Sequence, residues 1–344
     1  MLGTVSAFIL VGLLGVGVWL WTPDLPRAEL EQRYARGPSD FVEVRGVRLH
    51  VRDDGPRSAP AVILLHGFGG SLHTWDAWAE GLADRYRVIR FDLHGTGLSA
   101  VDPEGDYTDG RSLQLLAGLM DTLGLERASL VGHSMGGRIA WRFAFEQPER
   151  LQRLVLIAPD GFESPGFEYG KSPNVPRVLE LMRYTLPRSL VRINLEQAYA
   201  DTEVLSSAML RRYHDLLRAP GNRSALLERM RQVRLENPVP MLRTIEQPTL
   251  LVWGRQDAFI PFTNADDYMR ALPNAEMIAF DGVGHVPQEE IPARSLRYVR
   301  AFLETGEQQS IVAARHRQPV HDLQQCKPSE AAGNRRTSLP ERGA

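Results

Sequence analysis

From residue 41 to about residue 303, short apolar runs alternate with stretches of helical spacing. Residues 41–44 (FVEV) and 47–51 (VRLHV) flank Arg45 and Gly46, the pattern of a β-hairpin. Residues 61–67 (AVILLHG) and 86–92 (YRVIRFD) read as further strands. The first is continuously apolar, as befits a strand buried on both faces. Helical spacing then covers 110–123, a strand 128–132, a helix 136–146 and a strand 151–159. Two more strands, 248–254 and 275–282, alternate with helical stretches at 263–271 and 289–303. This order predicts an α/β chain with a mostly parallel, eight-stranded sheet and helices on both faces.

Between residues 161 and 246 the alternation stops. Short helical patterns rich in leucine, methionine, tyrosine and arginine are punctuated by prolines at 165, 173, 176, 187, 220, 238 and 240. That length is too great for one crossover and predicts a helical cap at one end of the sheet. The expected core is therefore 41–160 plus 247–304, with the cap at 161–246.

The two ends have other patterns. Residues 2–21 carry no charge, and twenty residues of helix would span roughly 30 Å, about the thickness of a bilayer core. Trp19 and Trp21 would lie at an interface, and no basic n-region or small-residue cleavage site marks a secretory signal. Residues 1–22 are therefore expected to be a single-pass membrane anchor, followed by a linker at 23–40. Arg27, Arg33 and Arg36 argue for a cytoplasmic C-terminal side, and the N-terminal amine argues the other way. Residues 305–344 lose apolar periodicity and read as a disordered tail.

Composition narrows the function classes. The chain has 344 residues, a formal net charge of −2, 43% hydrophobic and 24% charged residues, which is globular and gives no sign of a nucleic-acid partner. Cys326 is the single cysteine, so no intrachain disulfide can form. No histidine pair has metal-ligand spacing on a helix, and neither a metal nor a cofactor is expected. The stretch 95–100 (GTGLSA) resembles a dinucleotide loop, but VDPEG follows it where a helix would be needed.

The chemistry centres on Gly132-His133-Ser134-Met135-Gly136, a G-x-S-x-G pattern set between a strand and a helix. Glycines two before and two after the serine leave room for a sharp turn that exposes its hydroxyl. A serine hydroxyl needs a base, and the base needs an orienting carboxylate. Asp257 in GRQDAFIP and His285 in DGVGHVPQ each follow a strand, at the same sheet edge as Ser134. As alternatives, Asp257 could serve as a turn or helix cap and His285 as a backbone-bonded loop residue. Asp160, after the preceding strand, is a rival for the acid. An oxyanion would need backbone donors, for which Met135 and, in HGFGG (66–70), Phe68 are the candidates.

HGFGG, FDLHGTGLS, GHSMGG, GRQDAFIP and GHVPQEEIP, in that order, resemble the successive motifs of the α/β-hydrolase superfamily of serine esterases, lipases and carbon–carbon bond hydrolases. The resemblance covers roughly 41–304 and implies the α/β-hydrolase fold, with 161–246 as its cap or lid. His94 before Gly95 departs slightly from the usual loop. Serine at 134 where the dehalogenase and epoxide hydrolase relatives need a carboxylate argues against their chemistry. The expected activity is hydrolysis of apolar or aromatic carboxylic esters or related acyl substrates, with Leu179, Met182, Tyr184 and Leu186 of the cap contacting them. A carbon–carbon bond hydrolase of aromatic ring-cleavage products is the second reading, because it would use the same triad. A noncatalytic membrane-bound receptor or scaffold of this fold is the third. Oligomeric state is not legible.

Overall fold

The computed structural model describes residues 21–305. Eight strands form one sheet: β1 (Phe41–Val44), β2 (Val47–Asp54), β3 (Ala61–Leu65), β4 (Arg87–Phe91), β5 (Ala128–His133), β6 (Leu151–Ile157), β7 (Thr249–Gly254) and β8 (Ala275–Phe280). Their order is β1-β2-β4-β3-β5-β6-β7-β8. The hairpin β1–β2 and the pair β2–β4 are antiparallel, and every other pair is parallel. The expected fold class is the one observed.

Eleven helices are described: α1 (Arg27–Tyr34), α2 (Asp76–Leu82), α3 (Asp109–Thr122), α4 (Met135–Glu146), α5 (Arg188–Glu196), α6 (Ser207–Leu217), α7 (Asn222–Gln232), α8 (Val239–Leu242), α9 (Thr263–Ala271), α10 (Pro287–Glu290) and α11 (Pro292–Glu304). Strand alternation divides the core in two. Ile63, Leu65, Leu130, Leu154, Leu156 and Trp253 face α3, α4 and α9. Val62, Leu64, Val131, Val155 and Val252 face α2 and α11. The helix expected over 289–303 is instead two helices meeting at Ile291, because Pro292 has no N–H to continue α10 and occupies the first turn of α11.

The segment between β6 and β7 holds α5 to α8 and short 3₁₀ turns at Arg177–Arg183 and Thr202–Val204, with small clusters of its own around Leu186, Val191 and Leu210. Between Ile157 and Thr249 the segment adds no strand to the sheet.

The N-terminal expectations need correction. Among the described residues no helix is long and apolar enough to cross a membrane, so the structure does not support an anchor and a membrane location through it. Residues 1–20 lie outside the described residues. Of the expected span, Trp21 and Thr22 are described, and both rest on the insertion: Trp21 stacks with Tyr184, and Thr22 N donates to Tyr184 O at 3.0 Å. Nor is 23–40 a bare linker. Helix α1 buries Leu30, and Arg33 and Tyr34 both donate to Asp215 of α6, at 2.6 and 2.8 Å. One buried leucine with polar neighbours is too weak an apolar signal to separate such a docked helix from a linker. The tail expected over 305–344 lies, beyond Thr305, outside the described residues.

Candidate active site

Ser134 stands between β5 and α4 with φ 53° and ψ −121°, a backbone conformation costing a non-glycine residue roughly 1–3 kcal/mol. The turn is held by Ser134 N donating to Ile157 O at 2.9 Å and by Asp160 N donating to Ser134 O at 3.1 Å. A Cβ on Gly132 would overlap the Gly136 carbonyl, and one on Gly136 would overlap the Leu65 carbonyl. Both glycines are therefore required by backbone packed against backbone.

Asp257 follows β7 and His285 follows β8, and the fold brings them together. His285 Nδ1 lies 2.7 Å from Asp257 Oδ2, and the Asp257 side chain is fully buried. The other carboxylate oxygen, Oδ1, accepts from Phe259 N at 2.8 Å and Ile260 N at 2.9 Å, which fixes the rotamer. Phe259 packs edge-on against the His285 ring, 5.4 Å between centroids. His133 approaches from the elbow, with ring centroids 4.6 Å apart, and its Nε2–H donates to His285 O at 2.8 Å. Burial, reinforced by the neighbouring His285, pushes the His133 pKa well below the ordinary histidine value, so this ring stays neutral as the donor. Among the described residues no Ser134 Oγ to His285 Nε2 hydrogen bond is formed. Such bonds are often long without substrate.

Asp160 has another partner. Its carboxylate is bonded to Arg138 of α4, which is itself buried and paired to Asp109. Tyr268 OH and Trp141 Nε1 donate to its carbonyl at 3.0 and 3.1 Å. The burial that raises its pKa is opposed chiefly by Arg138.

Met135 follows the serine in the chain, and Phe68 lies on the turn after β3, next to Gly67. Met135 is the first residue of α4, where N–H groups have no helical acceptor. Gly67 adjoins the elbow closely enough that a Cβ on it would stand 3.1 Å from Ser134 Cβ. The sequence reading missed His66. Its Nδ1–H donates to Gly67 O at 2.8 Å, and its Nε2 accepts from Leu93 N at 3.0 Å. Gly70 N donates to the same carbonyl at 3.1 Å. In a trans peptide the C=O and N–H point oppositely, so fixing Gly67 O also fixes the direction of the Phe68 N–H. His66 opens the HGFGG motif, so its place beside the loop is legible in the sequence.

The four expected substrate contacts lie in the insertion, packed against its own residues or partly exposed. Leu186 and Met182 belong to the insertion's own cluster with Val191 and Leu210. Tyr184 is 55% exposed and stacks on Trp21, and Leu179 is half-buried in the 3₁₀ turn. Amphipathic spacing identifies apolar residues but not whether they face the sheet or their own helices. The insertion residues that do border the glycine loops are Leu216, Leu217, Asn222 and Leu226. With Gly69, Gly70 and Gly95 to Gly97 they line a small surface depression that does not include Ser134 or His285.

Known proteins resemble this chain over the same region. The family described as alpha/beta hydrolase fold matches residues 60–292. A 2-hydroxy-6-oxononadienedioate/2-hydroxy-6-oxononatrienedioate hydrolase of Comamonas testosteroni is 30% identical over 272 residues, covering 75% of this chain and 92% of that one. Among solved structures, a meta-cleavage product hydrolase from Pseudomonas fluorescens IP01 superposes with a TM-score of 0.67 at 26% identity, covering 76% of this chain and 96% of that one. A membrane phospholipase A described as a bacterial virulence factor gives the same TM-score and identity, covering 88% of this chain and 98% of that one. The eight-stranded sheet, the strained serine turn and the family match over 60–292 lead to one assignment: the chain belongs to the α/β-hydrolase fold family.

Proposed function

We propose that the chain is a serine hydrolase that cleaves carboxylic esters of apolar or aromatic substrates through an acyl-enzyme. Ser134 Oγ attacks the carbonyl carbon while its proton passes to His285 Nε2. Asp257, accepting from His285 Nδ1, holds the imidazole in the tautomer that leaves Nε2 free and stabilises the imidazolium. The Phe68 and Met135 N–H groups receive the developing oxyanion. The Nε2 proton leaves with the alcohol. Water then attacks the acyl carbon with His285 again as base, and Ser134 is regenerated.

The observation that carries this reading is the pairing of the buried Asp257 with His285 at 2.7 Å, beside a serine in a strained turn. The phospholipase A likeness favours an ester. A second reading, hydrolysis of a carbon–carbon bond in aromatic ring-cleavage products, is favoured by the Comamonas relative and uses the same residues. Turnover of p-nitrophenyl esters is compared with that of a ring-fission dienoate. Faster ester turnover, lost in Ser134→Ala, supports the first reading. Faster dienoate turnover replaces it with the second.

A further inference from the structure

His285 sits on the loop between β8 and α10, outside any strand, so its position depends on what holds that loop. From the β7 side, Gln256 Oε1 accepts from Gly282 N at 2.7 Å and from Val283 N at 3.2 Å. At His285 itself the support comes from the insertion. His285 N donates to Ala198 O at 2.7 Å. Five residues on, Glu290 bridges the same boundary: Oε2 accepts from Gly284 N at 2.7 Å, and Oε1 accepts from Ala200 N at 3.1 Å and Asp201 N at 2.8 Å. The Glu290 carboxylate is buried, and all three donors are backbone groups. A Cβ on Gly284 would overlap Ala198 O and crowd Ala200 N, so here the two chain segments touch backbone to backbone.

The next residue back extends the join. Glu289 accepts from Tyr213 OH at 2.6 Å, Tyr199 OH at 3.0 Å and Arg212 at 3.3 Å, all from the insertion. Glu289 thus bonds side chains, whereas Glu290 bonds backbone N–H groups, among them that of Gly284, the residue before His285.

We propose that Glu290 is the positioning residue for His285, tying the histidine's loop to residues 198–201 and so setting the imidazole's reach to Ser134 through the insertion. This rests on the reading of His285 as base. A carboxylate suits the task because both oxygens accept, and an ionised acceptor strengthens each bond. In Glu290→Gln one oxygen becomes an NH₂ that faces a backbone N–H, so one side of the tether is lost. In Glu290→Ala both are lost. Displacement of a reacting group by about 1 Å costs on the order of 100-fold in rate.

The test labels the full chain and both variants with a fluorophosphonate, reading amplitude and rate constant separately, alongside kcat and KM for a p-nitrophenyl ester. Amplitude reports how much protein is folded, and the rate constant reports serine activation in that fraction alone, so partial unfolding does not obscure the result. The expected outcome is a labelling rate constant and kcat that fall together, about tenfold in Glu290→Gln and about 100-fold in Glu290→Ala, with KM within about threefold. Wild-type rate constants in both variants, with amplitude alone reduced, overturn the proposal and leave Glu290 a stability residue. Failure of the underlying reading looks different: wild-type protein is not labelled, or Ser134→Ala is labelled at the wild-type rate.

Discussion

Asp257 Oδ2 meets His285 Nδ1 at 2.7 Å, while its Oδ1 accepts from the Phe259 and Ile260 N–H groups. Among the described residues no arginine or lysine is paired with this carboxylate, so it serves the imidazole and two backbone N–H groups. Asp160, the alternative acid, is bound to the buried Arg138.

These two environments predict opposite phenotypes. Asp257→Asn should lower kcat by about 10⁴-fold, because the amide stabilises the wrong histidine tautomer. Asp160→Asn should leave kcat within about tenfold of wild type but destabilise the fold by roughly 3 kcal/mol, since Arg138 loses one of its buried partners. Paired measurements of kcat and of urea midpoints check both. A reversed pattern transfers the acid role to Asp160.

Phe68 offers a backbone test. Phe68→Ala keeps the N–H and should retain kcat within about tenfold, whereas Phe68→Pro removes it and should lower kcat by about 100- to 1000-fold. Equal activities in the two variants, with matching melting temperatures, would remove Phe68 from the oxyanion site.

The legible part of the site was the part encoded by local sterics and strand order. Gly132 and Gly136 flag the turn, and the positions of Asp257 and His285 just past β7 and β8 place both at one sheet edge. What the sequence hid were contacts set by tertiary packing. The docking of α1 depends on the burial of Leu30 and on Arg33 and Tyr34 bonding Asp215, 182 and 181 residues away. The orientation of Leu186 and Tyr184 depends on how the insertion folds on itself. Glu290 reads in the sequence as an ordinary acidic residue near a helix, because its partners are main-chain groups and leave no side-chain pattern.

A pH prediction follows from Asp92. Its carboxylate is buried and accepts from Leu72 N, Leu98 N and His50, tying together the loops that follow β3 and β4. Burial opposes ionisation, but the His50 charge and hydrogen bond, with His66 and the Leu72 N–H, hold the pKa down to about 2, against an ordinary 3.8. The folded state therefore binds this proton more weakly than the unfolded chain. Its contribution is present above about pH 4 and is lost as pH falls from about 4 through 2. Asp92→Asn should cost about 2–3 kcal/mol at pH 7. The difference from wild type should shrink as pH falls through that window, as followed by denaturant unfolding at each pH. A gap that is constant from pH 7 to 2 contradicts this role.

The most direct test of the whole account is the identity of the residue that becomes covalently modified. The full chain is treated with a fluorophosphonate, and the adduct is located by peptide mass spectrometry, with Ser134→Ala in parallel. The account predicts one adduct per chain, on Ser134, and none in the variant. An adduct on another residue, or unmodified Ser134 in folded wild-type protein, would contradict it.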